Sequence, residues 1–273
     1  MALSLNAIGC GAVAADDDLA RYEADDFSMA PANPLASDLI DRLKANDPSL
    51  TTLNLRDSLL THAEVIAIAE GLRVNRTLTT LSLSHCYSLG DTGAAAIADA
   101  LAGNATLTTL NLYWINFGAA GATAIANAMK ANHTLTTLNI GWNHLGQNQL
   151  NSAGAAAIAA ALKVNRTLQK LNVQCTGISA ADGAVIADAM KVNNTLTTLD
   201  REYNDFGAAE EAAIASALAR NRVWSRERHG AFPQSCHTNV ICALLAAARF
   251  HPKLPTEVWT DEILPNLRRS DFR

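Results

Sequence analysis

The chain has 273 residues, 49% hydrophobic, 17% charged and 5% aromatic, so one or two domains with a core of Leu, Ile and Ala are expected. Its 26 acidic and 21 basic residues leave a net charge of −5, the wrong sign for a surface that exchanges counterions with nucleic acid. No stretch reaches the roughly 18 continuous apolar residues of a membrane span, so neither nucleic acid nor a membrane is expected as a partner.

Residues 1–34 are acidic and small, with Asp16-Asp17-Asp18, Asp25-Asp26, Pro31 and Pro34, and read as a mobile tail. Met1 to Ala15 superficially resembles a signal peptide, with Ala12-Val13-Ala14 as its cleavage site. It has no basic n-region, and Asn6 and Gly9 interrupt the apolar run, so a cytoplasmic protein is expected. Residues 35–49 form a capping half-repeat. Leu39 and Leu43 keep the phase of the helices that follow, and the half-repeat covers the open edge of the first strand.

Residues 50–223 repeat themselves. The block Leu-x-x-Leu-x-Leu starts at Leu50, Leu78, Leu107, Leu135 and Leu168, and a sixth copy at Leu196 carries Arg201 in its third apolar position. The starts lie 28, 29, 28, 33 and 28 residues apart, and a faint seventh phase falls at Trp224. The 33-residue unit holds its extra residues near Gly146 to Asn151. Alternation in Leu110-Asn111-Leu112 predicts a strand, and the four-residue spacing of Ile125 and Met129 predicts a helix face. The same helical pair recurs at Ile68/Leu72, Ile97/Leu101, Ile158/Leu162, Ile186/Met190 and Ile214/Leu218. Asn75, Asn104, Asn132, Asn165, Asn193 and Asn221 follow each pair by three residues, where a left-handed Asn would end the helix. Strand, helix and strand in one sense require a parallel sheet with right-handed crossovers. Strands about 4.8 Å apart against helices about 10 Å across make the stack curve with its sheet inside.

Leu107-x-x-Leu110-x-Leu112, Gly121-Ala122, Ala124-Ile125-Ala126-x-Ala128-Met129 and Asn132-x-Thr134 together resemble the ribonuclease-inhibitor-type leucine-rich repeat. That type also builds the sensor arrays of cytosolic immune receptors. The resemblance implies an α/β leucine-rich-repeat solenoid, a horseshoe with a parallel β-sheet on the concave face and α-helices on the convex face. It also implies a non-catalytic scaffold that binds a protein ligand. The family's inward Asn is matched by Asn143 and Asn204, and by Cys86. Ser58, Asn116 (one place late) and Thr176 depart from it.

Residues 224–273 leave the pattern. A helix is expected from Val240 to Phe250, capped by Thr238 or Asn239 and stopped by Pro252. Pro255 opens another in its first turn. One reading is a helical C-terminal cap over the last repeat. The other is a resemblance to the start of an F-box, carried by Leu254-Pro255-x-Glu257, Ile263-Leu264, Leu267 and Asp271-Phe272. The spacing is one residue long between Glu257 and Ile263, and Pro265 intrudes. That resemblance implies a substrate-recognition subunit of a cullin-type ubiquitin ligase, docking the adaptor through Leu254, Pro255, Glu257, Trp259, Ile263 and Leu264.

Five cysteines at irregular spacing argue against a disulfide framework. Cys236, His237, Cys242 and His229 cluster without the C-x₂-C pairs of a zinc site. No Ser/His/Asp set, P-loop or dinucleotide motif is present. Neither catalysis, a metal nor a cofactor is therefore expected. Asn75-Arg76-Thr77 and its four counterparts fit the glycosylation pattern, but the repeat itself calls for a helix-ending Asn and a Thr before the strand, so secretion is not inferred.

Variation is confined to the sixth and seventh residues after each first Leu: Arg56-Asp57, Ser84-His85, Tyr113-Trp114, Gly141-Trp142, Gln174-Cys175 and Glu202-Tyr203. The rest of the concave face is uniform Thr and Asn. Protein contact is therefore expected at Arg56, His85, Tyr113, Trp114, Trp142, Glu202 and Tyr203, with Trp114 and Trp142 side by side. Arg201 cannot be buried unpaired, so the last strand should lie at an edge, with Arg201 partly solvated or paired with an acid such as Glu227.

Overall fold

A computed structural model describes residues 34–143 and 151–223. In chain order the elements are α1 (Pro34–Lys44), β1 (Thr52–Asn54), α2 (His62–Val74), β2 (Thr80–Ser82), α3 (Gly90–Gly103), β3 (Thr109–Asn111) and α4 (Ala119–Ala131). Then follow β4 (Thr137–Asn139), α5 (Asn151–Val164), β5 (Lys170–Asn172), α6 (Ala180–Val192), β6 (Thr198–Asp200) and α7 (Ala208–Val223). The strands form one parallel sheet in sequence order, with Leu53, Leu81, Leu110, Leu138, Leu171 and Leu199 in register.

Each strand is three residues long because only its central Leu has an inward role. Those leucines are buried while their neighbours face outward. Burying such a side chain contributes about 1.5–3 kcal/mol. The helical pairs from Ile68/Leu72 to Ile214/Leu218 are all buried against the same core. Alanines between them let the helices approach. A Cβ at Gly121 would meet Ala94 Cβ at 3.0 Å and Phe117 Cβ at 2.8 Å, so that position must stay bare. In α1, Leu43 is fully buried and Leu39 partly so, in the phase expected.

The helix starts are tied down in two ways. Thr61 with Glu64, and Ser179 with Asp182, form reciprocal capping boxes. Gly118 has no side chain to cap α4, and Asp91 of α3 does it instead, accepting from the N–H groups of Gly118 (2.9 Å) and Gly121 (2.7 Å). The outer helix faces carry ion pairs between neighbouring repeats, such as Lys163–Asp188 at 2.8 Å and Arg73–Asp99. Such exposed pairs add little stability.

The helix-ending asparagines behave differently from the expectation. Asn75, Asn104, Asn132 and Asn193 are extended, with φ between −80 and −71°, not left-handed. All six are buried. Each amide nitrogen donates to a carbonyl of the preceding repeat, as in Asn104 to Leu72 (2.8 Å), Asn165 to Met129 (2.7 Å) and Asn193 to Leu162 (2.8 Å). The oxygens accept the N–H groups entering the next strand, as in Leu107 and Leu168, both at 2.8 Å. The asparagine is needed for a carbonyl about thirty residues back, not for its local backbone. The nitrogen that glycosylation would use is committed to this ladder.

A second inward ladder closes the strand exits. Cys86 Sγ donates to the Leu55 carbonyl (3.1 Å), Asn143 to Leu112 (2.9 Å) and Asn204 to Val173 (2.7 Å). At the departing position, Thr176 Oγ1 turns back to the Val173 carbonyl at 2.7 Å. Arg201 lies beside the edge strand β6, largely buried, and pairs with Glu211 of α7 while donating to the Leu199 carbonyl. The acid expected there was Glu227, which lies outside the described residues, as do the tail, the extra residues of the long repeat and the whole of 224–273. Among the described residues no helix is long and apolar enough to cross a membrane.

Candidate functional site

The site is built by the turn that leaves each strand. Backbone pairing continues past the strand, with Asp57 N–H donating to the Ser84 carbonyl, His85 to Tyr113, Trp114 to Gly141, Trp142 to Gln174 and Cys175 to Glu202, all at 2.7–3.0 Å. To make that bond and then turn inward, the backbone goes left-handed. Asp57, His85, Trp114, Trp142, Cys175 and Tyr203 all have φ between 50 and 61°. Asp57 and His85 are residue types enriched in this region, and the two tryptophans, Cys175 and Tyr203 are not. A side chain there costs about 1–2 kcal/mol, so bulky residues persist only if their side chains return something.

Two residues earlier, a side chain fixes the turn. Asn54, Asn111, Asn139 and Asn172 each accept from the N–H two residues on, those of Arg56 (3.1 Å), Tyr113 (3.0 Å), Gly141 (3.1 Å) and Gln174 (2.7 Å). Gly141 is bare for a second reason: a Cβ there would lie 2.7 Å from Asn172 Oδ1.

The expected aromatic residues converge. Trp114 and Trp142 have ring centroids 5.4 Å apart. His85 lies 5.2 Å from Trp114 and 5.5 Å from Tyr113, and Tyr113 lies 6.3 Å from Trp142. Tyr87, which the column rule missed because it follows the turn, stands edge-on to Trp114 at 5.5 Å. Its position was signalled by the 29-residue spacing of its repeat. Tyr87 Oη is also 3.0 Å from His85 Nδ1, and Arg56 Nη2 is 3.3 Å from His85 Nε2. Arg56 in turn holds Asp57 at 3.1 Å. Glu202 and Tyr203 are exposed in the turn after β6, two strands beyond Trp142, or about 10 Å by strand spacing. They flank the cluster.

The rings differ in exposure. Trp114 is 7% exposed at the centre, and its indole N–H has no hydrogen-bond partner. Trp142 and Tyr113 are half-buried and form the open surface. Burial raises the Cys86 thiol to about 11, so this free cysteine stays protonated and inert. Cys175 is disulfide-bonded, a bond the irregular cysteine spacing did not announce. The Cys236, His237, Cys242 and His229 cluster and the adaptor-docking residues Leu254, Pro255, Glu257, Trp259, Ile263 and Leu264 lie outside the described residues.

Residues 74–98, 103–126, 131–159 and 164–187 match the family model described as Leucine Rich repeat. Among solved structures, the chain is similar to the tropomodulin C-terminal domain of Caenorhabditis elegans. Identity is 13% and the TM-score 0.51, covering 72% of this chain and 99% of that one. It also matches leiomodin-1 actin-binding site 2 at 25% identity and a TM-score of 0.49, covering 73% of this chain and 95% of that one. No curated protein sequence matches. Four matched repeats and the single-file parallel sheet show an α/β leucine-rich-repeat solenoid fold.

Proposed function

We propose that the solenoid is a non-catalytic scaffold that binds a protein partner on the outer face of its sheet, at the patch formed by His85, Tyr113, Trp114 and Trp142. The observation that supports this reading is the left-handed backbone beneath those rings. A site free of constraint would hold Asn, Asp, His or Gly there, whereas two consecutive repeats carry Trp. Aromatic rings are the side chains that most often dominate a protein interface. Arg56 extends the patch on one side, with Glu202 and Tyr203 on the other. The subclass is the ribonuclease-inhibitor type, on the strength of its 28-residue period and inward Asn or Cys, and the setting is cytoplasmic.

The test is Trp142→Ala, with folding followed by circular dichroism and the native partner captured by affinity. Retained folding with at least a tenfold loss of capture supports the patch. Undiminished capture moves the binding site elsewhere. The adaptor-docking role of Leu254, Pro255, Glu257, Trp259, Ile263 and Leu264 rests on their sequence resemblance alone. Removal of residues 224–273 would abolish capture of a cullin adaptor if that role holds.

A further inference from the structure

The patch opens onto a row of polar side chains whose polarity is fixed. Asn111, Asn139 and Asn172 sit in register on β3, β4 and β5, about 4.8 Å from strand to strand. Each turns its oxygen to the backbone N–H of the exit turn. Only an oxygen can accept that proton, so the amide orientation is settled by the bond. The three amide nitrogens therefore face outward. Among the described residues they have no hydrogen-bond partner, and the three side chains are partly exposed. Each oxygen in the row is engaged with the backbone, and the amide donors face outward.

Charge follows the same polarity. From β2 to β5, the outward positions Thr80, Ser82, Thr109, Asn111, Thr137, Asn139, Lys170 and Asn172 include no carboxylate, and neither do the exit pairs that follow those strands. Lys170 is exposed on β5 and Arg56 on the β1 turn. Carboxylates flank this stretch, Asp57 held by Arg56 on the β1 turn and Asp200 with Glu202 at β6. A partner that fits this face supplies acceptors and negative charge in the middle and apolar side chains at the rings.

Resting on the scaffold reading above, we infer that the segment bound across β3 to β5 is an acidic peptide of the partner. Its carboxylates accept from the Asn111, Asn139 and Asn172 amides, and its apolar side chains pack on Trp142 and Tyr113. Lys170 supplies the long-range attraction.

The test uses the full chain and two labelled twelve-residue peptides, one alternating Glu with Phe and the other Lys with Phe. The Glu peptide should bind at least tenfold more tightly at low salt, with the preference shrinking as salt rises. Asn139→Asp keeps the oxygen that holds the turn and turns the outward donor into an acceptor. Asp200 already makes the same bond to the Glu202 N–H, so folding is retained. Asn139→Asp should weaken the Glu peptide at least fivefold, and so should the surface change Lys170→Glu. A preference for the Lys peptide, no binding of the Glu peptide, or indifference to both substitutions would overturn the inference. Native-partner capture that depends on Trp142 but not on Asn139 would overturn it and leave the scaffold reading standing. Capture indifferent to Trp142 would remove both.

Discussion

Asn132 donates from its buried amide to the Leu101 carbonyl at 2.8 Å, and its oxygen accepts the Leu135 N–H at the same distance. It ties the end of one helix to the preceding repeat and to the strand that follows. Asn132→Ala takes the acceptor from the buried Leu135 N–H and from the Thr134 N–H beside it, and an unsatisfied buried group costs about 1–3 kcal/mol. Asn132→Asp should cost at least as much, because a carboxylate would face the Leu101 carbonyl. Urea unfolding should show both variants destabilised by about 2 kcal/mol or more. Asn127→Ala, on the exposed side of α4, should stay within about 0.5 kcal/mol of the parent protein.

Arg201 occupies a position where the other repeats place Leu, Ile or Val, and its pairing with Glu211 is what makes that tolerable. Removing Glu211 leaves the mostly enclosed Arg201 charge without its carboxylate, which costs more than replacing that ion with an apolar side chain. Glu211→Ala should therefore destabilise the β6 edge. Arg201→Leu should be neutral or stabilising, and should suppress the effect of Glu211→Ala in the double variant. Thermal melts of the three variants check this. Destabilisation by Arg201→Leu as large as that by Glu211→Ala would assign the arginine a role beyond filling the position.

Acid should loosen the solenoid at two identified places. Hydrogen bonds from the Ser49 side chain and Arg42 hold Asp47 down at about 2. For Asp182, burial pushes the pKa up, but hydrogen bonds from Ser179 and Ser152 outweigh it and leave the carboxyl below its usual range. Both groups have folded values below the unfolded value of 3.8. Their contribution is complete above that value and is lost as pH falls through the folded values. Unfolding free energy measured from pH 5 down to pH 2 should fall, and the slope should be shallower for Asp47→Asn and for Asp182→Asn. An unchanged slope in both variants would place the acid sensitivity elsewhere.

Period and face were legible in the sequence because both are local. Leu110 and Leu112 alternate, Ile125 and Met129 stand one helical turn apart, and all four are buried as expected. The conformation of Asn75 and its counterparts was not legible. Local propensity offers a left-handed cap, while the deciding partner is a carbonyl in the preceding repeat. The Asp91 cap on α4 was hidden for the same reason, since Gly118 gives no sign of borrowing a neighbour's carboxylate. The aromatic column was visible as a composition anomaly, but its left-handed backbone was masked by residues that usually avoid that region. Tyr87 joined the cluster from outside the column, in the one repeat lengthened by a single residue.

The last prediction separates the two tryptophans. Both sit on left-handed backbone, where Asn would relieve about 1–2 kcal/mol of strain. Trp114 is buried among His85, Tyr87, Tyr113 and Trp142, and deleting a ring so enclosed costs about 3–5 kcal/mol. Packing outweighs strain there, so Trp114→Asn should destabilise the chain by about 2 kcal/mol or more. Trp142 is half-buried, and its contacts with Trp114 and Tyr113 are worth about 0.5–1.5 kcal/mol each. Strain and packing nearly cancel there, so Trp142→Asn should leave stability within about 1 kcal/mol of the parent. Partner affinity should behave in the opposite way to that neutrality. Losing an interface aromatic costs about 2 kcal/mol, or roughly thirtyfold in Kd. Chemical unfolding and partner titration on the two variants check both statements. If Trp142→Asn costs as much stability as Trp114→Asn, the exposed indole is a packing element like its neighbour. If it costs neither stability nor affinity, the strain beneath it serves something other than recognition on this face.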